Sequence, residues 1–271
     1  MMFIVFIRVC TLHIDLFHIL DTPRCGWTGR LQKVFEGLKN VRVITRAQSA
    51  TWAKIKQEPY MSYQHYNISA STTISGFFQN RKYLSDAKQV IRQAFQFSDS
   101  YARHSEKVLH RASEKFAKVA SPILVGVHIR LGDMKKPEII KFGYTMTNIS
   151  FYEQAFRHMG HLHEVERLIF VVSSDTISDT RKMLASLSKR YNIYYMEGGS
   201  PEEDMCALSK THHMITSGGT FGFWPAWFVN GTVIYFSGYA RPGSTLEKIG
   251  YCRECFNLPT WTPLGNSHVI I

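Results

Sequence analysis

The segment Pro122-Ile-Leu-Val-Gly-Val-His-Ile-Arg-Leu-Gly-Asp133 opens as a run of branched apolar residues broken only by Gly126. It closes with a histidine, an arginine and an aspartate inside six positions. A short apolar run behind a proline predicts a buried strand over 123–127. Ionisable groups cannot share that burial unless something pairs with them. The strand must therefore end where an open crevice begins.

Outward from this point the chain alternates. A capping-box spacing at Ser150-Phe-Tyr-Glu153 predicts a helix from there to about Gly160. Leu168-Ile-Phe-Val-Val172 reads as a second buried strand, followed by Ser173-Ser-Asp175. Next come a helix with Met183, Leu184 and Leu187 on one face, and a short strand over 192–195. Ser200-Pro-Glu-Glu203 combines a cap, a proline at the first helical position and an acid at the third. Strand 214–216, an apolar helix over 221–229 and strand 232–236 complete the series. Strand and helix in alternation predict an α/β fold, a Rossmann-like parallel sheet with helices on both faces. Upstream, strand 41–44 and helices 86–95 and 98–119 are expected. The longer helix carries Tyr101, Val108, Leu109, Ala112, Phe116 and Val119 on one stripe. A domain boundary is placed at 120/121.

Composition sets the outer limits. With 271 residues, 45% of them hydrophobic, the chain can bury a sizeable core as one large or two modest domains. Its formal charge of +11 would suit nucleic acid, a membrane surface or a phosphorylated ligand, or simply a solvated basic surface. The basic residues are dispersed and no standard nucleic-acid motif occurs, so nucleic acid is not an expected partner. A P-loop phosphotransferase would need GxxxxGK[ST], which is absent.

Cys252-Arg-Glu-Cys255 has CxxC spacing but no second pair to complete a zinc site, leaving a local disulfide or two plain thiols. His158, His161 and His163, with His212 and His213, lack supporting carboxylates and are expected on a solvated face. Cys206 lies inside a predicted helix with no base assigned to it. No metal ligand set is expected. Acceptor sequons at Asn67, Asn148 and Asn230 are compatible with the secretory pathway. The apolar start MMFIVFIRVCTLHIDLFHIL is interrupted by Arg8, His13, Asp15 and His18. A degraded membrane anchor and a buried strand-plus-helix start both remain open.

In open α/β sheets, ligands bind beyond the carboxyl ends of the strands. Three such ends carry polar groups here: His128/Arg130/Asp133, Ser173/Ser174/Asp175 and Ser217-Gly-Gly-Thr220. The last precedes a helix, whose N-terminal N–H groups and dipole favour an anion. Arg130 could add two parallel charge-assisted bonds to the same phosphate. The competing expectation is that Arg130 and Asp133 merely pair with each other.

These residues carry a resemblance. His128-Ile-Arg130-Leu-Gly132-Asp133 resembles the HxRRGD motif of the α-1,2-fucosyltransferases, glycosyltransferase family 11, shared more loosely with the α-1,6- and protein O-fucosyltransferases. Glu203-Asp-Met-Cys-Ala-Leu-Ser209 and Ser217-Gly-Gly-Thr-Phe-Gly-Phe-Trp-Pro-Ala-Trp227 resemble that family's later motifs. Phe170-Val-Val-Ser-Ser-Asp175 is similar to the strand between, and Ile74-Ser-Gly-Phe-Phe-Gln79 to a segment ahead of the donor domain. Order and spacing agree over residues 74–240.

The resemblance implies a GT-B-like fold: a Rossmann-like donor domain over 121–271 and a reduced acceptor-side domain over 1–120. It implies metal-independent, inverting transfer of L-fucose from GDP-fucose to a galactose hydroxyl of a glycan in the Golgi lumen, with membrane association through an N-terminal segment. It assigns donor binding to His128, Arg130, Gly132, Ser173, Asp175, Asp204, Ser217, Gly219, Thr220 and Phe221. Thr220 and Phe221 fall where the family contacts phosphate, and Asp204 where a nucleoside is held. Arg130 would neutralise the departing diphosphate, consistent with the lack of an Asp-x-Asp motif, and Asp133 is the candidate base. Leu131 stands in place of the motif's second arginine, and the family's G-L-G-N-Q segment has no counterpart. A non-catalytic binder of GDP-sugar or glycan is the alternative.

Overall fold

The computed structural model describes residues 88–266 continuously and, ahead of them, 18–20, 33–38, 42–44, 53–56, 61, 63, 72–75 and 79–85. Asn67, Cys10, Cys25 and most of the apolar start lie outside these residues. The described residues form two compact units. One holds Ser100–Lys248 and the stretch from Pro259; the other holds those up to Asp99 together with Ile249–Leu258.

The smaller unit contains two parallel strand pairs: β1 (His18–Leu20) with β2 (Arg42–Ile44), and β3 (Ala53–Lys56) with β4 (Thr72–Ser75). Helix α1 (Lys88–Ala94) buries Ile91, and Phe35 packs edge-on against Phe95 at 4.7 Å. Cys252 and Cys255 form a disulfide at the start of a short helical turn, so of the two expectations for the CxxC pair, the bridged form is observed.

The larger unit begins within helix α2 (Asp99–Lys115), ahead of the 120/121 division drawn from sequence. Ser105 and Ala112 are its buried positions. The sheet that follows comprises β5 (Ile123–Ile129), β6 (Leu168–Ser174), β7 (Asn192–Tyr195), β8 (His213–Thr216), β9 (Val233–Phe236) and β10 (Thr262–Leu264). Their spatial order is β10-β9-β8-β5-β6-β7, and every neighbouring pair is parallel. The chain runs outward from β5 to β6 and β7, then crosses back to lay β8 on the other side of β5. That reversal makes β5 the switch point, where flanking loops diverge and leave a crevice.

Burial on both faces explains the unbroken apolar runs. Val125, Val127 and Ile129 are fully buried, as are Leu168 through Val172. On one face lies α4 (Ile149–Leu162), which stacks Phe156 on Phe170 of β6 and sets Phe151 against Phe236 of β9. Gly126 points the other way, beneath α6 (Pro201–Ser209). A Cβ there would approach Met214 Sδ at 2.7 Å, Thr211 Oγ1 at 2.8 Å and Leu208 Cδ2 of α6 at 3.1 Å, so glycine lets α6 and the chain after it pack this closely. Helix α7 (Gly219–Phe228) covers the same face beside α6.

Several expectations shift. The cap of α4 is Asn148, whose Oδ1 accepts from the Ser150 N–H and hydroxyl, not the Ser150 capping box. The Ser200–Glu203 box forms in full. Strand β10 was not anticipated. Its Pro263 lacks an N–H, which an edge strand tolerates. His212 and His213 are not idle surface groups: their Nδ1 atoms accept the Leu124 and Thr232 N–H groups at 2.9 Å. Burial first, then His163 and His212, lower the His213 pKa to about 4.

Candidate functional site

Three adjacent strands bring their carboxyl ends together. In register, His128 of β5 lies beside Ser173 of β6 and Thr216 of β8. All three therefore sit on the face covered by α6 and α7. Beyond β5 the ladder continues first through backbone and then through a side chain: Ser217 N–H donates to the His128 carbonyl at 3.1 Å, and Arg130 N–H donates to Ser217 Oγ at 2.9 Å. Ser217 is thus a clasp between two strand ends.

The Arg130 guanidinium is partly buried, with its side chain 24% exposed. Nε and Nη2 donate side-on to the two carboxylate oxygens of Asp133, and Nη1 donates to Tyr239 Oη at 3.3 Å. The Arg130–Asp133 pair expected as the competing arrangement is therefore present. It does not exhaust the guanidinium, which has five N–H donors. Burial, the largest single influence, works against the charge, but the Asp133 hydrogen bond and the electrostatics of Tyr239, Asp133 and Asp175 together outweigh it and raise the Arg130 pKa. The same bond lowers the Asp133 pKa against its own burial. A carboxylate held anionic with both oxygens engaged is a poor proton acceptor, so Asp133 serves here as the counter-ion of Arg130.

The turn from β8 into α7 is built from glycine. Gly218 and Gly219 have φ of 101° and 79°, a region most side chains avoid. A Cβ on Gly218 would sit 2.6 Å from the Tyr239 ring, and one on Gly219 would lie 2.9 Å from Arg130 Nη1. The guanidinium is therefore laid against the first turn of α7. The N-cap of that helix is Gly218, which has no side chain to cap it, and the positive end of the helix dipole lies at this turn. Thr220 and Phe221 occupy the same turn and are half-buried.

His128 is buried under this turn, against Phe221 at 5.1 Å between ring centroids. A Cβ on Gly222 would reach its Nδ1 at 2.4 Å, and that nitrogen is buried without a hydrogen-bond partner. Burial, then the Arg130 charge, lower its pKa to about 3. His128 is a neutral packing group that supports the helix start.

The other predicted residues divide by role. Asp175 accepts the backbone N–H groups of Leu131 and Gly132 at 2.9 and 3.0 Å. Both its oxygens are thus turned on the protein, and Gly132 needs to lack a Cβ because one would meet Asp175 Oδ2 at 2.9 Å. Ser173 donates to Asp204 Oδ2 on α6, while Asp204 Oδ1 faces Gly199. Burial raises the Asp204 pKa against the Ser173 bond. His128, Arg130, Ser217, Gly219, Thr220 and Phe221 gather around one turn; Ser173 and Asp204 form a second cluster on the same face.

Sequence reasoning missed Tyr239 and Tyr144, whose rings meet edge-on at 5.2 Å beside Arg130 and Asp133. Their only signal was position: Tyr239 follows the strand next to β8, so its loop opens on the same edge. Of the sequons, Asn230 is exposed, and Asn148 is exposed with its Oδ1 engaged as the α4 cap.

The chain is similar to known proteins over most of its length. Galactoside alpha-(1,2)-fucosyltransferase 1 of Saimiri boliviensis boliviensis is 26% identical over 217 residues, 79% of this chain and 58% of the relative. That of Mico humeralifer is 26% identical over 220 residues, 80% of this chain and 59% of the relative. The chain thus spans a little under three fifths of the length of these curated relatives. Among solved structures, POFUT1 in complex with GDP is similar at a TM-score of 0.41 and 11% identity, over 76% of this chain and 84% of that one. Thermosulfurimonas dismutans KpsC, a beta Kdo 2,7 transferase, is similar at a TM-score of 0.30 and 12% identity, over 83% and 79%. The family model for glycosyl transferase family 11 matches residues 30–264, a span that takes in both clusters of site residues, and the chain belongs to that family.

Proposed function

We propose that the chain is a fucosyltransferase that takes L-fucose from GDP-fucose and passes it to a galactose hydroxyl of a glycan, with inversion and without a metal. The observation that carries this is the Arg130 guanidinium lying against the glycine-built N-terminus of α7. Two positive elements converge on one point, and a diphosphate is the anion that suits them. Family membership and the curated relatives support fucosyl transfer as the chemistry.

In this reaction the acceptor hydroxyl oxygen bonds to the sugar's anomeric carbon from the face opposite the diphosphate and gives up its proton to solvent. The carbon–oxygen bond to GDP breaks, and its electron pair leaves on the β-phosphate. Arg130 and the α7 dipole stabilise that growing charge, and stabilisation of this kind is usually what lowers such a barrier most. Asp204, on the second cluster, holds the nucleoside. The six-stranded unit serves the donor and the preceding unit the acceptor, in a GT-B-like division of labour between roughly 121–271 and 1–120. Golgi lumen is the proposed compartment, with attachment through the apolar N-terminal segment. The Cys252–Cys255 disulfide and the exposed sequons at Asn148 and Asn230 support an oxidising, glycosylating environment.

Calorimetry with GDP and GDP-fucose on wild type and Arg130→Ala tests the reading. Micromolar GDP binding that weakens by about 1.5 kcal/mol or more in the variant is expected, the range for a lost charged hydrogen bond. Fucose release to water, or transfer to a galactose-terminated acceptor, then separates an enzyme from a binder. No GDP binding would sink the proposal.

A further inference from the structure

Tyr239 belongs to none of the motifs above, yet it lies against Arg130 and both glycines of the turn. Its hydroxyl accepts from Arg130 Nη1 at 3.3 Å. Its ring is the floor beneath Gly218, and its hydroxyl would stand 3.4 Å from a Cβ on Gly219. The side chain is held from behind as well. Thr145 N–H donates to the Tyr239 carbonyl at 2.9 Å, Tyr144 and Ala240 form an antiparallel bridge, and the Tyr144 ring closes edge-on at 5.2 Å. Burial raises the phenol's pKa far above its ordinary value, so the hydroxyl stays protonated and uncharged at any physiological pH.

Consider the five N–H groups of Arg130. Asp133 takes two from one edge, at Nε and Nη2, and Tyr239 takes one at Nη1. Asp133 lies only three residues along the same chain turn, so it cannot fix the guanidinium relative to α7. Tyr239 can, because it comes from the loop after β9 and is wedged under the α7 turn itself. We infer that Tyr239 is a positioning residue: by holding Nη1 it aims the uncommitted N–H groups of Arg130 at the diphosphate over Gly219. This rests on the donor-site reading above and goes beyond it by assigning the device that orients the charge.

The test compares Tyr239→Phe with wild type, measuring GDP and guanosine binding by calorimetry, each also in the Arg130→Ala background. Phenylalanine keeps the ring under Gly218 and removes only the hydroxyl. GDP affinity should fall roughly fivefold, the usual size of one hydrogen bond. Guanosine affinity, which does not involve the diphosphate, should be unchanged and also reports an intact fold. In the Arg130→Ala background the substitution should have no further effect on GDP. Equal losses for GDP and guanosine, an undiminished effect without Arg130, or no effect on GDP would each overturn the inference. Should wild type itself show no Arg130-dependent GDP binding, the donor-site reading falls and the inference with it. Arg130-dependent binding that ignores Tyr239→Phe sinks this inference alone.

Discussion

Two turns flank the crevice, one after β5 and one after β8, and they are built in opposite ways. The β5 turn is closed electrically: Asp175 takes its backbone N–H groups, and Asp133 takes one edge of its arginine. The β8 turn is open. Two glycines at positive φ carry the chain into a helix whose N-cap is itself a glycine. The difference teaches where a ligand's charge would be met. The closed turn supplies a positioned cation already paired on one side, and the glycine turn supplies the positive end of a helix dipole. Neither alone would make a diphosphate site.

The largest expected effect removes the cation. Arg130→Ala should lower the rate of fucosyl transfer by about 10²–10³, the usual cost of losing one charge-stabilising donor, while leaving the sheet folded. Retention of full transferase activity in a kinetic assay would show that the closed turn contributes only structure. Next comes the open turn. Gly219→Ala forces a Cβ toward Arg130 Nη1 at 2.9 Å from a backbone at φ 79°. It should weaken GDP binding by roughly tenfold and cost about 1–3 kcal/mol of stability for the strained backbone. A variant that melts lower but binds GDP as wild type would uncouple the two turns.

Asp175→Ala comes third. It leaves the Leu131 and Gly132 N–H groups without their acceptor, so chemical denaturation should report a loss of about 2 kcal/mol, with GDP affinity reduced only a few-fold. A loss of binding as large as that of Arg130→Ala would mean that Asp175 faces the ligand after all. The smallest effect concerns the seam between the turns. His128 is neutral in the fold, with its pKa lowered from the ordinary 6.5 to about 3. Below pH 6.5 the unfolded chain takes up this proton first, so stability is full above that value and declines as pH falls toward 3. Its share of the slope is about 1.4 kcal/mol per pH unit. Melting curves of wild type and His128→Asn from pH 7.5 to 5 should show the flatter dependence in the variant; identical slopes would rule His128 out as the source.

Much of this was legible because the core is two-sided. Runs such as 168–172 have no alternative to a buried parallel strand, and the Ser200–Glu203 box declares its helix by chemistry alone. The polar ends of β5, β6 and β8 were found for the same reason, since charge at the end of an apolar strand marks the crevice. Legibility failed where a residue's partner is distant along the chain. Asp175 read as a ligand group, yet it spends both oxygens on a turn over forty residues earlier. Tyr239 meets Arg130 across 109 positions with no local pattern to announce it. Strand β10 has three residues and a central proline, so it forms only because β9 offers an edge. Asn148 takes the place of Ser150 as the cap because its Oδ1 accepts the Ser150 N–H at 3.0 Å, so the helix starts already at Ile149.

The position of β5 has a further consequence. His128, Arg130 and Asp133 all hang from one strand whose two neighbours supply Ser173 and Thr216 in register. Side chains alternate between faces along a strand, so inserting or deleting one residue within Ile123–Ile129 would turn His128 to the α4 face and Ile129 toward α7. After a deletion the α4 face would then bury an imidazole beside Val172, where Val127 now sits. Length variation in this family should therefore be tolerated in the loops and around the sheet's outer strands, but not in these seven positions.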